Sequence, residues 1–215
     1  MRVVLADDEP LLRRGLKVLL EAAGQVTVVG EAADGAELID AIHRHRPDVA
    51  LIDVQMPGVD GLSALRTLRE LPDPPVAAML TTFDVDEYIA AALELGAQGF
   101  LLKDAEPEAL VRAVLDLAAG GAVLDPRITV RLLPLLRGWG VQGRSVQAMD
   151  TLSGRERQVL NLLAGGHSNA AIGGRLGLTE ATVKSYVSTV LSKLGVQNRV
   201  QAALAAHRVN PGLPD

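Results

Sequence analysis

Polar side chains close four apolar runs in the first half of the sequence: Asp7 and Asp8 follow VVLA, Asp53 follows VALI, Thr81 and Thr82 follow VAAML, and Lys103 follows GFLL. Such runs are typical of buried parallel strands, whose carboxyl ends meet along the edge where these folds place ligands. Carboxylates held close together repel one another and need a cation to compensate their charge. Since a ligand set made only of oxygen favours Mg²⁺ over zinc or copper, the pattern predicts an acidic magnesium site.

The residue types in this site also indicate a reaction. A carboxylate can attack a phosphoryl donor and form an acyl phosphate if the charge on the transferring oxygens is neutralised. Mg²⁺ and Lys103 can supply that neutralisation, and the Thr81 hydroxyl can bond a phosphoryl oxygen once the group is attached. Thr81 is therefore a candidate switch residue. Taken singly, Asp7 or Asp53 would be read as a turn former or helix cap, and only the ordered series predicts a site.

The elements that must position these residues alternate along the chain. After Asp8, the segment LLRRGLKVLLEAAG has leucines at helical spacing and stops at Gly24. Strand and helix patterns then follow in turn as far as about residue 120 and give five strands and five helices. Continuously apolar strands in such an alternation predict an α/β fold, with a parallel sheet covered by helices on both faces.

Composition limits the class of protein. The 215 residues are 48% hydrophobic and 2% aromatic, so the cores must be aliphatic. Zero cysteines exclude disulfides, thiolate metal sites and a cysteine nucleophile. No run approaches the ~20 apolar residues of a membrane span, and MRVVLADDEP becomes acidic too soon for a signal peptide. We therefore expect a cytoplasmic protein with no membrane partner.

Charge divides the chain into unlike halves. Residues 1–120 hold 10 Lys+Arg against 21 Asp+Glu, whereas residues 121–215 hold 11 against 5. An acidic module followed by a basic one predicts that the first half holds a cation site and that the second half binds a polyanion. A stretch rich in glycine and polar residues separates them, so we expect domains at 1–120 and 150–215 with a linker at 121–149.

The last segment shows four helical patterns. Ser153 lies three residues before Glu156, which predicts a capping box, and Thr179 is placed to cap a later helix. A short helix, the turn GLT and a longer helix form a helix-turn-helix pattern typical of DNA binding. On the longer helix the core face is predicted to hold Val183, Val187, Val190, Leu191 and Leu194, leaving Lys184, Ser185, Ser188 and Thr189 free to meet a groove.

The spacing DDE, LIDVQMPGVDG, LTTFD and GFLLKD closely resembles the receiver domain of bacterial two-component response regulators over residues 1–120. The resemblance implies a doubly wound, flavodoxin-like sheet of order 2-1-3-4-5, with Asp53 as phospho-acceptor. It implies that Asp8 and Asp53 bind Mg²⁺ directly, Asp7 through water and Gln55 through its backbone carbonyl. Thr81 and Phe100 would move on phosphorylation, Thr82 would line the site, and Lys103 would bind the phosphoryl group.

Two residues depart from the usual receiver pattern. Asp104 follows Lys103 where many receivers have a proline with a cis bond, and we expect a trans bond because cis costs ~2.5–4 kcal/mol here. Phe83, two positions after Thr81, is a bulky ring that we expect to screen the phosphoryl group from water and slow its loss.

The segment from LSGRERQVLNLLAGG to LSKLGVQNRVQA closely resembles a LuxR-type helix-turn-helix, so the whole chain resembles a NarL/FixJ-class response regulator. The resemblance implies that the helix starting near Glu180 enters the major groove and that the last helix helps to dimerise. By position, Lys184, Ser185, Ser188 and Thr189 would face DNA, with Lys193, Asn198 and Arg199 near phosphates. Ala171 and Tyr186 depart from the commoner glutamate and histidine, which leaves the base contacts open.

The resemblance implies a transcription regulator with no catalytic residues of its own. A sensor histidine kinase would phosphorylate Asp53, and the surface of the fourth helix, fifth strand and fifth helix would change its pairing preference. Two copies would then bind double-stranded DNA, with RNA polymerase as a further partner. Two alternatives stay open: a DNA binder whose receiver is never phosphorylated, and a magnesium-dependent phosphohydrolase with an aspartyl nucleophile. The second usually needs an aspartate where this chain has Gln55.

Overall fold

The computed structural model describes residues 1–82, 86–125, 128, 148–196 and 198–209. These residues form two compact units. The first includes Met1–Ala118 and the segment that begins at Val123, and the second includes the described residues from 148 onward.

The first unit alternates strands and helices. Its elements are β1 (Arg2–Ala6), α1 (Pro10–Ala22), β2 (Thr27–Ala32), α2 (Gly35–His45), β3 (Val49–Asp53), α3 (Gly61–Arg69), β4 (Val76–Thr81), α4 (Asp86–Glu94), β5 (Gly99–Leu102), α5 (Pro107–Ala118) and β6 (Val123–Leu124). All strand pairs are parallel, in the order β2-β1-β3-β4-β5-β6.

The sheet is buried because its strands are apolar on both faces. Every residue of β3 and β5 is buried, and so are all but the first residue of β1 and β4. Helices α1 and α5 pack together, while α2 contacts α3 and α3 contacts α4. A core cluster that includes Leu16, Leu20, Leu110 and Val114 joins α1 and α5 to the strands. The predicted α/β architecture and the strand order 2-1-3-4-5 are confirmed.

A sixth strand, β6, was not predicted. Val123 pairs with Gly99 and Leu124 with Phe100, so the segment expected to be linker adds a strand beside β5. The Asp125 amide donates to the Phe100 carbonyl at 3.0 Å and continues this ladder. The first half of β5 therefore lies between β4 and β6. Strand β6 covers part of the surface of α4, β5 and α5 that was predicted to pair. Most of the expected linker, 126–127 and 129–147, lies outside the described residues.

The second unit contains four helices in its described part: α6 (Gly154–Ala164), α7 (Asn169–Leu176), α8 (Glu180–Leu194) and α9 (Arg199–Val209). Its apolar core includes Val159, Ile172, Val183 and Val190. The capping box at Ser153 and Glu156 and the cap by Thr179 are both present as predicted. The predicted core face of α8 is also confirmed, since all five of its residues belong to this cluster.

None of the helices in the described part of the chain combines the length and the apolar character needed to cross a lipid bilayer.

Candidate functional site

The carboxyl ends of β1, β3 and β5 bring three charged groups together. Lys103 Nζ lies 2.8 Å from Asp7 Oδ2 and 2.9 Å from Asp53 Oδ2, and the contact with Asp53 is also a hydrogen bond. Asp7 is fully buried and Asp53 is 5% exposed. Residues 7, 53 and 103 are far apart in sequence, so it is the parallel sheet that assembles this cluster.

Burial and charge oppose each other in this cluster. Burial raises the pKa of the Asp53 carboxyl above its ordinary value, and the Lys103 ammonium offsets this effect only in part. Burial alone would lower the pKa of Lys103, but the carboxylates of Asp7 and Asp53 outweigh it and raise that pKa overall. One ammonium thus faces two carboxylates in a poorly solvated site, and the site has an excess of negative charge.

Asp8 completes a group that can hold a metal ion. One carboxylate oxygen from each of Asp7, Asp8 and Asp53 lies within 4.8 Å of the others, and Asp8 is exposed where the other two are buried. A cavity of about 310 Å³ adjoins Asp8 and Gln55, with Tyr88 on its wall. Oxygen ligands with excess negative charge, open to solvent on one side, fit a hard divalent cation that keeps some of its water.

The predicted switch residues lie close to this group. Thr81, the last residue of β4, is 1% exposed, and its hydroxyl donates to the carbonyl of Thr82 at 2.9 Å. Thr82 is exposed, and Phe100 is fully buried on β5. The Lys103–Asp104 bond is trans, as predicted. Phe83 lies outside the described residues, so its predicted role stays a prediction.

Two residues that support the site were not predicted. A Cβ at Gly61 would lie 2.0 Å from the Asp53 carbonyl oxygen, and the Gly61 amide donates to the Val54 carbonyl at 3.2 Å. Glycine here lets the loop after β3 turn back against that strand. Arg13 on α1 donates to the Asp7 carbonyl and also lies 3.5 Å from a Glu31 carboxylate oxygen. The only sequence signal was the Asp60-Gly61 pair at a helix start.

A second candidate site is the exposed face of α8. Lys184, Ser185, Ser188 and Thr189 are all exposed, opposite the buried face that contains Val183 and Val190. The turn between α7 and α8 is closely packed, because a Cβ at Gly173 would lie 2.7 Å from the Leu178 carbonyl oxygen. Gly177 adopts the left-handed conformation at φ +65°, and Arg155 donates to the Leu176 carbonyl at 2.6 Å. These contacts fix α8 relative to α7 as in a helix-turn-helix.

The structure buries the side chains of Asn198 and Arg199, which were expected to lie near DNA phosphates. They are 3% and 4% exposed. The Arg199 guanidinium donates to Asn169 Oδ1 at 3.3 Å and to the His167 carbonyl, so it joins α9 to the start of α7. Burial lowers the pKa of Arg199 to about 10, and it remains protonated at neutral pH. The segment RVQAALAAHRV is alanine-rich, so its sequence pattern did not reveal which side is buried.

Lys193 is half-exposed, and its ammonium group forms an ion pair with Glu156. Its Nζ lies 2.7 and 2.9 Å from the two carboxylate oxygens of Glu156. The Lys193 ammonium and the Ser153 amide together lower the pKa of the Glu156 carboxyl. A DNA phosphate at Lys193 would have to compete with this carboxylate.

An acidic, metal-competent strand edge with a buried lysine, joined in one chain to a helix-turn-helix, defines a phosphorylation-controlled DNA-binding regulator. Residues 3–115 match the response regulator receiver domain, and residues 150–206 match the bacterial regulatory proteins of the luxR family. The chain belongs to the response regulators that combine these two domains, a family of transcriptional regulators rather than classical enzymes.

Relatives of known name match over nearly their whole length. The chain is 40% identical to "Probable transcriptional regulatory protein NarL" of Mycobacterium tuberculosis over 97% of this chain and 94% of that protein. It is 39% identical to "Nitrate/nitrite response regulator protein NarL" of Escherichia coli, over 96% of this chain and 94% of the relative. Among solved structures, the response regulator ChrA of a heme-sensing two-component system matches with a TM-score of 0.55 and 39% identity, covering 96% of both chains.

Proposed function

We propose that this protein is switched by phosphorylation of Asp53 and that the phosphorylated form pairs on DNA to regulate transcription. The observation that carries the proposal is the Asp53 carboxylate, nearly buried, 2.9 Å from Lys103 Nζ and grouped with Asp7 and Asp8. A structural ion pair would need only one carboxylate for the lysine. The surplus of acidic groups at a solvent-open cavity instead favours a site that accepts a cation and then a phosphoryl group.

The reaction assigns a role to each residue of the first site. An Asp53 carboxylate oxygen attacks the phosphorus of a phosphohistidine on a sensor histidine kinase, and the P–N bond breaks as the imidazole nitrogen takes its electron pair. Mg²⁺ held by Asp7, Asp8, Asp53 and the Gln55 carbonyl supplies charge neutralisation when bound. Lys103 stays beside the transferred group and pairs with its new charge.

The switch follows from hydrogen bonds that the added group makes available. The Thr81 hydroxyl, which donates to the Thr82 carbonyl, can instead donate to a phosphoryl oxygen on Asp53. Phe100 lies on the neighbouring strand and its carbonyl is bonded to Asp125 at the end of β6. A movement of Thr81 and Phe100 would therefore reach the chain that continues toward the second unit.

The second site takes DNA as its ligand. We propose that α8 enters the major groove and presents Lys184, Ser185, Ser188 and Thr189, with Lys193 near the backbone. Small hydroxyl side chains let the helix approach base edges closely, and lysine can bond guanine or a phosphate. The solved structure of two RcsB dimers bound to DNA, 26% identical over 98% of this chain with a TM-score of 0.55, supports pairing on DNA as the active arrangement. RNA polymerase is the further partner that such a regulator would meet at a promoter.

The test measures oligomeric mass and DNA affinity of the full chain, with and without Mg²⁺ and a small phosphoryl donor. Asp53→Ala removes the acceptor, and Asp40→Asn, at an exposed aspartate on α2, is the matched control. We expect wild type and control to gain one phosphoryl group, mass and affinity, and Asp53→Ala to gain none of these. Equal behaviour of all three proteins would favour a regulator with an unphosphorylated receiver, and steady turnover of the donor would favour a phosphohydrolase.

A further inference from the structure

Arg13 lies where the electrostatics of a helix do not favour it. It belongs to the first turn of α1, near the positive end of the helix dipole, where acidic side chains stabilise a helix and basic ones do not. Its side chain is only 17% exposed, although arginine is rarely buried unless it is paired. The next residue, Arg14, is exposed. Helix formation therefore does not explain Arg13, and its role must follow from the contacts of its guanidinium.

The first contact is with the backbone of the acidic group. The Arg13 guanidinium donates to the carbonyl of Asp7, the residue that follows β1. On its other side Asp7 continues the strand ladder, because its amide donates to the Ala32 carbonyl at 3.1 Å. Asp7 is fully buried, and a buried carbonyl needs a donor. Arg13 thus supplies at the end of β1 the bond that a strand partner would supply within the sheet.

This bond orients the backbone from which Asp8 extends. The Asp7 carbonyl belongs to the peptide unit that joins Asp7 to Asp8, and since a peptide unit is planar, holding its oxygen also places the Asp8 Cα. The Asp7 carboxylate is fixed separately, because Oδ1 accepts from the Glu9 amide at 2.9 Å and Oδ2 lies 2.8 Å from Lys103 Nζ. Asp8 is the exposed member of the acidic group, so its backbone decides where its carboxylate can reach.

The second contact compensates the charge of the guanidinium. Arg13 Nε lies 3.5 Å from Glu31 Oε2 on β2, and the other oxygen of this carboxylate pairs with Lys17 Nζ at 2.9 Å. An uncompensated positive charge beside the acidic group would repel a metal ion. With Glu31 beside it, Arg13 holds the Asp7 carbonyl while its charge is partly neutralised.

We propose that Arg13 is a positioning residue for the cation site, and that Glu31 keeps its guanidinium in place. Arg13 holds the Asp7–Asp8 peptide so that the carboxylates of both residues reach one divalent cation. Groups that hold metal ligands from outside commonly contribute about 10- to 100-fold to metal affinity. Arg13 acts on the same site as the proposed function, on which the inference rests only for its second measurement, the rate of Asp53 phosphorylation.

The affinity for Mg²⁺ tests this role, because different roles of Arg13 predict different signs. Arg13→Met keeps an apolar stem but has neither charge nor donor. Mg²⁺ is titrated calorimetrically into the full chain with no phosphoryl donor present, and we expect the dissociation constant to rise on the order of tenfold. A guanidinium that acted only through its charge would give tighter binding in the variant, and a purely structural one would leave the constant unchanged. Either result would overturn the inference.

Arg14→Met is the matched control, with the same change of charge one residue further along α1. Because Arg14 is exposed and screened by solvent, we expect its Mg²⁺ dissociation constant to stay within about twofold of wild type. A similar loss in both variants would trace the effect to α1 as a whole and contradict a specific role for Arg13. Arg13→Lys retains the charge and can keep one of the two contacts, so it should recover part of the affinity.

Glu31→Gln is a second test that leaves Arg13 in place, should Arg13→Met fold poorly. It keeps the shape of the side chain but leaves the guanidinium uncompensated, so we expect weaker Mg²⁺ binding than in wild type. Asp40→Asn, which removes an exposed carboxylate on α2, is its control and should bind Mg²⁺ as wild type does. In the double variant of Arg13 and Glu31 the loss should be smaller than the sum of the two single losses. Additive losses would overturn the role given to Glu31.

The rate of Asp53 phosphorylation separates this inference from the proposed function. With a small phosphoryl donor, the Mg²⁺ concentration for half-maximal rate should rise on the order of tenfold in Arg13→Met, while the rate at saturating Mg²⁺ changes much less. An unchanged Mg²⁺ requirement would overturn the positioning role and leave the proposed function standing. Weaker Mg²⁺ binding by Arg13→Met, when even wild type takes up no phosphoryl group, would support the positioning role and contradict the phosphorylation switch.

Discussion

The Cβ that Gly61 lacks would lie 2.0 Å from the carbonyl oxygen of Asp53. No side chain fits in that distance, so the loop that follows β3 can return to this strand only through glycine. The Gly61 amide, bonded to the Val54 carbonyl at 3.2 Å, secures the return. The geometry of the acidic group thus depends on a residue that takes no part in its chemistry.

Gly61→Ala is therefore expected to move the loop, to lower the free energy of unfolding by roughly 2–3 kcal/mol and to slow phosphorylation of Asp53. Urea unfolding and the rate of phosphoryl incorporation, read by intact mass, measure the two effects. Gly15→Ala is the matched control, because its new methyl group would point into open space and should slightly stabilise α1. Equal stability of the two variants would show that the loop tolerates a side chain at position 61.

Lys103 is expected to stabilise the unphosphorylated protein by neutralising buried carboxylates. Lys103→Met leaves Asp7 and Asp53 without their cation, and we expect a loss on the order of 3 kcal/mol in Mg²⁺-free buffer. Adding Mg²⁺ should recover part of this loss, since a cation that binds the folded state stabilises it by mass action. Thermal unfolding with EDTA or Mg²⁺ measures both. A variant that Mg²⁺ stabilises no more than wild type would argue against a shared neutralising role.

The Glu156 carboxylate links the cap of α6 to Lys193 on α8, and this gives a pH dependence. Its pKa is lower in the folded protein, so its contribution to stability is present above the unfolded pKa of about 4.3 and is lost as pH falls through the folded pKa. We expect wild type to exceed Glu156→Gln in stability at neutral pH and the difference to vanish in acid.

Hydrogen exchange of α6 and α8 amides, followed in urea from about pH 7 to about pH 3, measures this difference. Glu180→Gln, at an exposed glutamate at the start of α8, is the control and should show little difference at any pH. A gap between wild type and Glu156→Gln that persists in acid would mean that shape rather than charge maintains the contact.

The parts of the fold that could be predicted are those marked by a repeated pattern of apolar and polar residues along the sequence. Buried strands read as apolar runs, and a polar residue after each run marks the sheet edge, so the acidic group and the order of elements followed from sequence. Strand β6 has only two residues, Val123 and Leu124, beside glycines, and no period can be read from two residues. The role of Gly61 was not predicted. A side chain is excluded there only because the backbone of Asp53, eight residues earlier in the chain, lies too close in the folded structure.

The second unit shows the same limit. On α8 the valines and leucines recur at helical spacing, so its buried and exposed faces were predicted correctly. On α9 the alanines are spread over a wide arc of the helix, and the burial of Arg199 is set by Asn169 at the start of α7 and by His167 just before it, which sequence cannot place. The sequence therefore predicts a DNA contact for Arg199, whereas in the structure its guanidinium is buried and bonded within the second unit.

Arg199 and Lys184 should consequently behave in opposite ways when replaced. Arg199→Ala removes a buried guanidinium that bonds Asn169 and the His167 carbonyl and leaves these acceptors unsatisfied. We expect its free energy of unfolding to fall by roughly 2–3 kcal/mol, while DNA affinity of the remaining folded protein keeps its dependence on salt. Lys184→Ala lies on an exposed surface, so its stability should stay within about 0.5 kcal/mol of wild type.

The salt dependence of DNA affinity separates the two roles. If Lys184 contacts a phosphate, the slope of log affinity against log salt should become shallower by about 0.9 in Lys184→Ala and should not change in Arg199→Ala. Arg199→Lys adds a check, because an ammonium retains the charge but cannot reach both acceptors of the guanidinium, so it should remain destabilised. A stable Arg199→Ala with a shallower slope would reverse the assignment and put Arg199 on the DNA after all.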